Sequence, residues 1–140
     1  MHTWPLAAFR IVAAALALSG CQRSAAGRYQ LDLAETTASV EQAVRAHPED
    51  ASAKDATLKM LREMRVEVLL DADGKLKSTT VLAAGQAPKT LSGSWELHDE
   101  RVTVTVQGEV DSLCELDGKR LRCKKTVPYG LFTDYVLVRE

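Results

Sequence analysis

Residues 113–123, with the sequence LCELDGKRLRC, decide the fold because their two halves mirror each other about a central glycine. A two-residue turn at 118–119 places leucines opposite leucines on one face and opposite charges on the other. The same register sets Cys114 opposite Cys123 at a non-hydrogen-bonded position, where Cα atoms lie about 4.5 Å apart, within reach of a disulfide. The stretch predicts a β-hairpin closed by a disulfide; two free buried thiols are the alternative. The ion pairs that this register predicts are Asp117–Arg120 and Glu115–Arg122.

Two further hairpins upstream show the same alternation of apolar and polar residues. Residues 64–82 alternate around a turn at 72–74, and residues 93–106 alternate around a turn at 99–100. The cross-strand pairs that these turns predict are Val68–Ser78, Leu70–Leu76, Trp95–Val104 and Leu97–Val102. Further strands are predicted near 110–116, 120–126 and 132–139. Each strand therefore pairs with its neighbour in sequence, which is an antiparallel meander.

Helical sequence lies between a short first strand at 28–31 and this meander. Asp32 and Glu35 form a D-x-x-E signal for a helix N-terminus, and Pro48 ends the first helix. A second helix is predicted over 50–62. Both helices are rich in alanine with a thin apolar stripe, so we expect them to cap a barrel. The predicted fold is mainly β with two short helices: a small antiparallel meander barrel of about eight strands, with a helix-turn-helix inserted after the first.

This order of elements resembles the calycin-type barrels, the lipocalins and fatty-acid-binding proteins. Gly27-Arg28-Tyr29 stands where lipocalins carry Gly-x-Trp, and Arg139 stands where they often have an arginine that covers that aromatic. Gly93-Ser94-Trp95 is similar to the G-x-W start of a middle strand in lipocalin-like bacterial lipoproteins. The resemblance spans 27–140 and implies a non-enzymatic binding module for a small apolar or amphipathic ligand. The residues expected to contact that ligand are Val66, Val68, Trp95, Val102, Val104, Lys125 and Tyr135.

The first 21 residues have the pattern of an export signal. Their apolar stretch, 11–18, is too short to span a membrane, which takes about 20 residues. Leu18-Ser19-Gly20-Cys21 resembles the lipobox of bacterial lipoproteins, which implies cleavage before Cys21 and lipidation of its thiol. By the same resemblance, Gln22 in place of aspartate implies the periplasmic face of the outer membrane. A buried N-terminal helix is the alternative. The predicted organisation is a signal peptide (1–20), a lipid-anchored tether (21–27) and a lipocalin-like barrel domain (28–140).

Charge and isolated motifs narrow the function. One of the 18 basic residues, Arg10, lies in the leader. The rest of the chain therefore has 18 − 1 = 17 basic residues against 19 acidic ones and is slightly acidic. It lacks the basic stripe of a nucleic-acid-binding protein. The run Asp71-Ala72-Asp73-Gly74 lacks the later ligands of a calcium loop. His47 and His98 stand alone beside turns. We therefore expect no catalytic residues, metal, cofactor or nucleic acid, and a monomer.

Three alternatives stay open on the sequence alone. Trp95 either fills the core or lines a ligand cavity, and Lys125 either reaches the barrel rim or meets an anionic ligand head. The function itself has two rivals: an envelope protein-interaction lipoprotein of the hydrolase-inhibitor or immunity type, with 91–94 as a protruding loop, and a structural envelope component. A continuous cavity of about 300 Å³ or more favours the ligand hypothesis.

Overall fold

The computed structural model describes residues 25–129 and 131–140. Within these residues, eight antiparallel strands follow one another in sequence order and close into a barrel, because the last strand pairs with the first. The strands are β1 (Gly27–Leu31), β2 (Arg65–Leu70), β3 (Lys75–Val81), β4 (Lys89–His98), β5 (Arg101–Val106), β6 (Glu109–Asp117), β7 (Arg120–Tyr129) and β8 (Phe132–Arg139). Between β1 and β2 lie α1 (Leu33–Ala46), a 3₁₀ helix (Pro48–Ala53) and α2 (Lys54–Glu63). The predicted fold class is confirmed.

The predicted hairpin registers are also confirmed. Cys114 pairs with Cys123 across β6 and β7, their Cα atoms lie 4.0 Å apart, and their sulfurs are bonded. The turns at 72–74 and 99–100 give the predicted pairings of β2 with β3 and of β4 with β5. A shift of the strand pairing by one residue would move every apolar side chain of a strand to the solvent-exposed face. The alternation of apolar and polar residues therefore specifies the register.

The charged face of the β6–β7 hairpin has different partners from those predicted. Arg120 Nε lies 3.2 Å from Asp32 Oδ2, and Arg122 contacts Glu35 at 3.3 Å and, diagonally, Asp117 at 3.6 Å. Among the described residues, the two directly opposed ion pairs do not form. The reason is that the first turn of α1 lies over β8 beside β7, within reach of both arginines. Asp32 Oδ1 also accepts from the Glu35 N–H at 3.1 Å, so the predicted cap is confirmed.

The start of α1 completes hydrogen bonding that β1 leaves unfinished. β1 pairs with β8 as far as Leu31. Beyond it, the Val136 N–H donates to Thr36 Oγ1 at 3.1 Å, and the Val136 carbonyl accepts from the Asp32 N–H at 2.7 Å. Thr36 is fully buried. Because buried backbone groups need partners, this contact fixes α1 against β8.

The two α-helices pack to one side of the barrel through a second apolar cluster. Its buried members are Val40 from α1, Leu61 from α2 and Leu131 from the β7–β8 connection. The second predicted helix begins differently from expectation: Pro48 opens the 3₁₀ segment, and α-helix starts only at Lys54. Proline suits a helix start because its φ is already helical. In the part of the chain that the structure describes, no helix is long and apolar enough to cross a membrane.

Gly93 allows β4 and β5 to approach closely where the barrel bends. The pairing of β5 with β6 shifts register between Val104 and Thr105, which marks a bulge. A Cβ on Gly93 would lie 2.1 Å from the Thr105 carbonyl oxygen, so only glycine fits without backbone movement. A glycine beside a bulge is a common device for turning a barrel corner. The glycine of the Gly93-Ser94-Trp95 motif therefore has a steric role.

The barrel has two unlike ends. The closed end carries the turns at 71–74, 99–100 and 118–119, together with the start of β1 and the end of β8. The open end carries the helices, the β3–β4 loop at 82–88 and the turn at 107–108. The main core cluster lies toward the closed end, and the helix cluster lies beside the open end.

Candidate functional site

The closed end is filled by large side chains whose polar atoms are all bonded to backbone. Trp95 is 1% exposed, and its Nε1–H donates to the Asp71 carbonyl at 2.9 Å. The buried Tyr29 hydroxyl donates to the Ala25 carbonyl at 2.7 Å. Buried indole and phenol groups are stable where such partners exist. Val102 lies among these residues. Trp95 thus has the position of a core residue.

Arg139 covers Tyr29 at this end. Its side chain passes so close to the first strand that a Cβ on Gly27 would lie 2.7 Å from Arg139 Cδ. Arg139 Nη1 donates to the Ala26 carbonyl at 3.4 Å. Burial raises the pKa of the Tyr29 phenol, against the opposing influence of the Arg139 charge. Glycine, aromatic and arginine therefore have the arrangement that the resemblance to lipocalins implies.

The open end contains a cavity of about 520 Å³. It is hollow because the inward side chains there are short, as with Ser78 and Thr80 on β3 and Val104 and Val106 on β5. Most of its wall is apolar. The residues that line it are Leu31, Met60, Met64, Val66, Val68, Leu76, Ser78, Thr80, Leu82, Lys89, Leu91, Val104, Val106, Asp111, Lys125, Val127, Phe132, Tyr135 and Leu137.

A polar network crosses one wall of the cavity. The Tyr135 hydroxyl donates to Ser112 Oγ at 2.7 Å, and the Ser112 hydroxyl donates to Asp111 Oδ2 at 2.8 Å. Lys125 Nζ donates to both Asp111 carboxylate oxygens, at 3.3 Å each, and lies 6.0 Å from the centre of the Tyr135 ring. Burial raises the pKa of Tyr135 to about 12; the Ser112 hydrogen bond opposes that rise and the Asp111 charge adds to it. At neutral pH the phenol is therefore a hydrogen-bond donor.

The charge of the cavity is not balanced. The Lys125 ammonium is neutralised by Asp111, while Lys89, on the opposite side of the mouth, has no ion-pair partner among the described residues. Lys89 is exposed and opens β4, with its side chain at the cavity lining. The lining that the described residues form therefore carries one net positive charge, at its rim.

The predicted ligand contacts divide between the two ends. Five of the seven predicted residues line the cavity: Val66, Val68, Val104, Lys125 and Tyr135. Trp95 and Val102 also point inward, but they lie in the filled end, outside the lining. Sequence reasoning missed Met60 of α2 and Met64, which follows the helix directly, because no local pattern shows that the helix faces the mouth. Asp111 was missed as well, although its neighbour Ser112 is paired with Lys125.

The predicted protruding loop at 91–94 is wrong. These residues lie inside β4, paired to β3 on one side and, from Gly93 onward, to β5 on the other. The short polar composition Leu-Ser-Gly-Ser suggested a loop. The geometric requirement for glycine at position 93 and the exposed outer face of the strand explain that composition instead.

The described part of the molecule contains no candidate metal site. No group of three or more histidine, cysteine, aspartate or glutamate side chains within it could hold a metal ion. The Asp71–Gly74 segment forms a tight turn, in which the Gly74 N–H donates to the Asp71 carbonyl at 3.0 Å.

No model of a protein family, no curated protein and no solved structure matches this chain.

Proposed function

We propose that the protein is a lipoprotein, anchored at the periplasmic face of the bacterial outer membrane, whose lipocalin-like barrel binds a small apolar or amphipathic molecule. The observation that carries the proposal is the cavity of about 520 Å³ at the open end. Small-molecule sites have volumes of about 300 to 1,000 Å³, a mostly apolar lining and a few placed polar groups. All three properties are present here.

The cavity wall explains how such a ligand gains affinity. Apolar surface removed from water contributes about 25 cal/mol per Å². Valine and leucine side chains from β2, β3, β5 and β8 supply this surface. The Tyr135–Ser112–Asp111–Lys125 network is satisfied without a ligand, so an apolar tail can pass it without stripping any buried polar group of its partner.

The anchoring part of the proposal depends on residues outside the described ones. It is supported by the lipobox-like Leu18-Ser19-Gly20-Cys21 and the apolar stretch before it. Cys21→Ser should abolish incorporation of radioactive palmitate and leave the precursor uncleaved, because acylation requires the thiol. Unchanged labelling of this variant would contradict the lipid anchor.

The binding part is tested by titration with dansylaminoundecanoic acid, a fluorescent single-chain amphiphile. We expect a blue-shifted, saturable emission at one probe per barrel. Val66→Phe fills the cavity from β2 and should weaken binding at least tenfold. Leu69→Phe is the matched control, because residue 69 points outward from the same strand. It should bind like the unmodified protein.

A folded barrel that takes up neither this probe nor a neutral apolar one would overturn the ligand hypothesis. Folding is checked independently by cooperative urea unfolding and by the absence of free thiols at positions 114 and 123. Equal binding by Val66→Phe and Leu69→Phe would instead place the probe on the barrel surface, and the cavity would lose its assigned role.

A further inference from the structure

The point at which the chain enters the barrel lies at the closed end, opposite the cavity mouth. Ala25 is fully buried there and accepts the Tyr29 hydroxyl. Cys21 precedes it by four residues. Four residues span at most about 14 Å even when fully extended. A lipid on Cys21 would therefore hold the closed end close to the membrane surface.

The barrel is longer than this tether. β4 runs from Lys89 at the mouth to His98 at the closed end and contains 10 residues. At about 3.3 Å per residue and a tilt of about 40°, such a strand rises roughly 20 to 25 Å along the barrel axis. An inverted barrel, with its mouth pressed against the bilayer, would raise Ala25 by that length, beyond the reach of the four residues to the membrane.

We propose that the barrel stands on its closed end, so that the cavity opens away from the anchoring membrane and exchanges its ligand with the aqueous side. This inference rests on the proposed lipid anchor and the proposed binding cavity. It places Lys89, at the rim, on the water-facing surface, where an amphiphile's charged or polar head remains hydrated while the apolar tail enters.

The exchange route narrows the ligand class. A molecule taken up from water must leave its source membrane unaided. Each buried methylene contributes about 0.8 kcal/mol, so a single acyl chain is held only reversibly while two chains are held almost permanently. The cavity should therefore accept single-chain amphiphiles and exclude the double-chain lipids of its own bilayer.

Orientation is measured with one fluorescent label at either end of the barrel. With Cys21 acylated and the other two cysteines bonded, an introduced cysteine is the only free thiol. Asp73→Cys labels the exposed closed-end turn, and Ala84→Cys labels the exposed open-end loop. The full chain is produced with its leader, purified as the lipoprotein, and inserted into vesicles of phosphatidylethanolamine and phosphatidylglycerol carrying a headgroup-attached energy acceptor.

The label at position 84 should lie about 20 Å farther from the acceptor plane than the label at position 73. Equal or reversed distances in a membrane-bound protein would overturn the orientation and leave the anchor standing. Protein that never enters the vesicle fraction would overturn both the orientation and the lipid anchor. In that case the Cys21→Ser experiment would also find no difference in palmitate labelling between the variant and the unmodified protein.

The exchange route is measured on the same vesicles without a label on the protein. Dansylaminoundecanoic acid added in water should fill the cavity at equal rates in the anchored protein and in soluble protein that begins at Gln22 and therefore lacks both the leader and the lipid. A dansyl phospholipid placed in the anchoring bilayer should not enter. Its entry would overturn the proposal, whereas failure of both proteins to take up the single-chain probe would count against the cavity itself.

Discussion

The closed and open ends of the barrel are built from the same strands with the same alternation, yet one is solid and the other hollow. Along β3, the inward residues from closed to open end are Leu76, Ser78 and Thr80. Along β4, the closed end carries Trp95 and the mouth carries Lys89. Alternation therefore sets which side chains point inward, and their sizes set where the barrel is filled.

The two ends also satisfy their polar groups differently. At the closed end, Trp95 and Tyr29 donate to backbone carbonyls. At the open end, Tyr135 donates to Ser112, another side chain. In the described part of the chain no buried side-chain nitrogen or oxygen lacks a partner. We infer that the closed end supplies rigidity and the open end supplies adaptable chemistry.

Trp95→Ala should cause the largest loss of stability, because it hollows the solid end. Truncating a buried tryptophan costs about 3 to 5 kcal/mol. We expect that loss in the free energy of unfolding measured by urea denaturation. Val106→Ala, at the half-exposed open end, should cost about 1 kcal/mol. Equal losses for the two variants would show that the core is distributed evenly along the barrel.

Contacts between residues close in sequence were predictable, and contacts between distant elements were not. The β6–β7 register was predictable because turn glycine, charges, leucines and cysteines all select one alignment. The cap at Asp32 was predictable because its partner lies three residues away. The ion pairs of Arg120 and Arg122 were not, since they depend on α1 docking across β8, a contact between residues about 90 positions apart.

The cavity itself was predictable only in part. Period-two alternation correctly placed Val66 and Trp95 on the inside, but it carries no information on height along the barrel axis. That height depends on which turns share an end, and so on the closed topology. The β4 segment at 91–94 shows the opposite failure: its composition is typical of a loop, yet it pairs with β3 throughout and with β5 from Gly93 onward.

The disulfide lies at the boundary between the two ends, since Cys114 pairs across the sheet with Val102 on the filled side and Cys123 with Tyr135 on the cavity side. Its loop is short, so the chain-entropy model predicts a contribution of about 2 to 3 kcal/mol. Reduction should lower the free energy of unfolding, measured by urea denaturation, by that amount while circular dichroism in the far ultraviolet is retained. Thiol titration of unreduced, denatured protein should find neither cysteine free; two free thiols would contradict the bond.

Tyr135 should make the open end sensitive to alkali. Its folded pKa is about 12, above the ordinary value near 10, so the neutral phenol stabilises the folded state at lower pH. The stability is fully present below about pH 10 and is lost as the pH rises, by about 1 kcal/mol at pH 11 and about 2 kcal/mol at pH 12.

Tyr135→Phe should remove this part of the alkaline loss. As the pH rises from 9 to 12, the unmodified protein should therefore lose about 2 kcal/mol of unfolding free energy relative to Tyr135→Phe, measured across the same pH range. Tyr29, whose pKa is also raised by burial, titrates in both proteins and cancels in the difference. If the difference in unfolding free energy between the two proteins stays constant with pH, the protonation state of Tyr135 does not affect the stability of the fold.

The smallest change in stability is expected from filling the cavity at its middle. Ser78 faces the cavity from β3, and Ser92 faces solvent on the neighbouring β4. Valine at position 78 has empty space to occupy, so overpacking strain does not arise and unfolding free energy should change by less than about 0.5 kcal/mol. The same substitution at position 92 adds the same two carbon atoms outside.

Probe affinity should fall severalfold for Ser78→Val and stay unchanged for Ser92→Val. If Ser78→Val destabilises the barrel by 1 to 3 kcal/mol, the cost typical of a well-packed core, the open end is as tightly packed as the closed one.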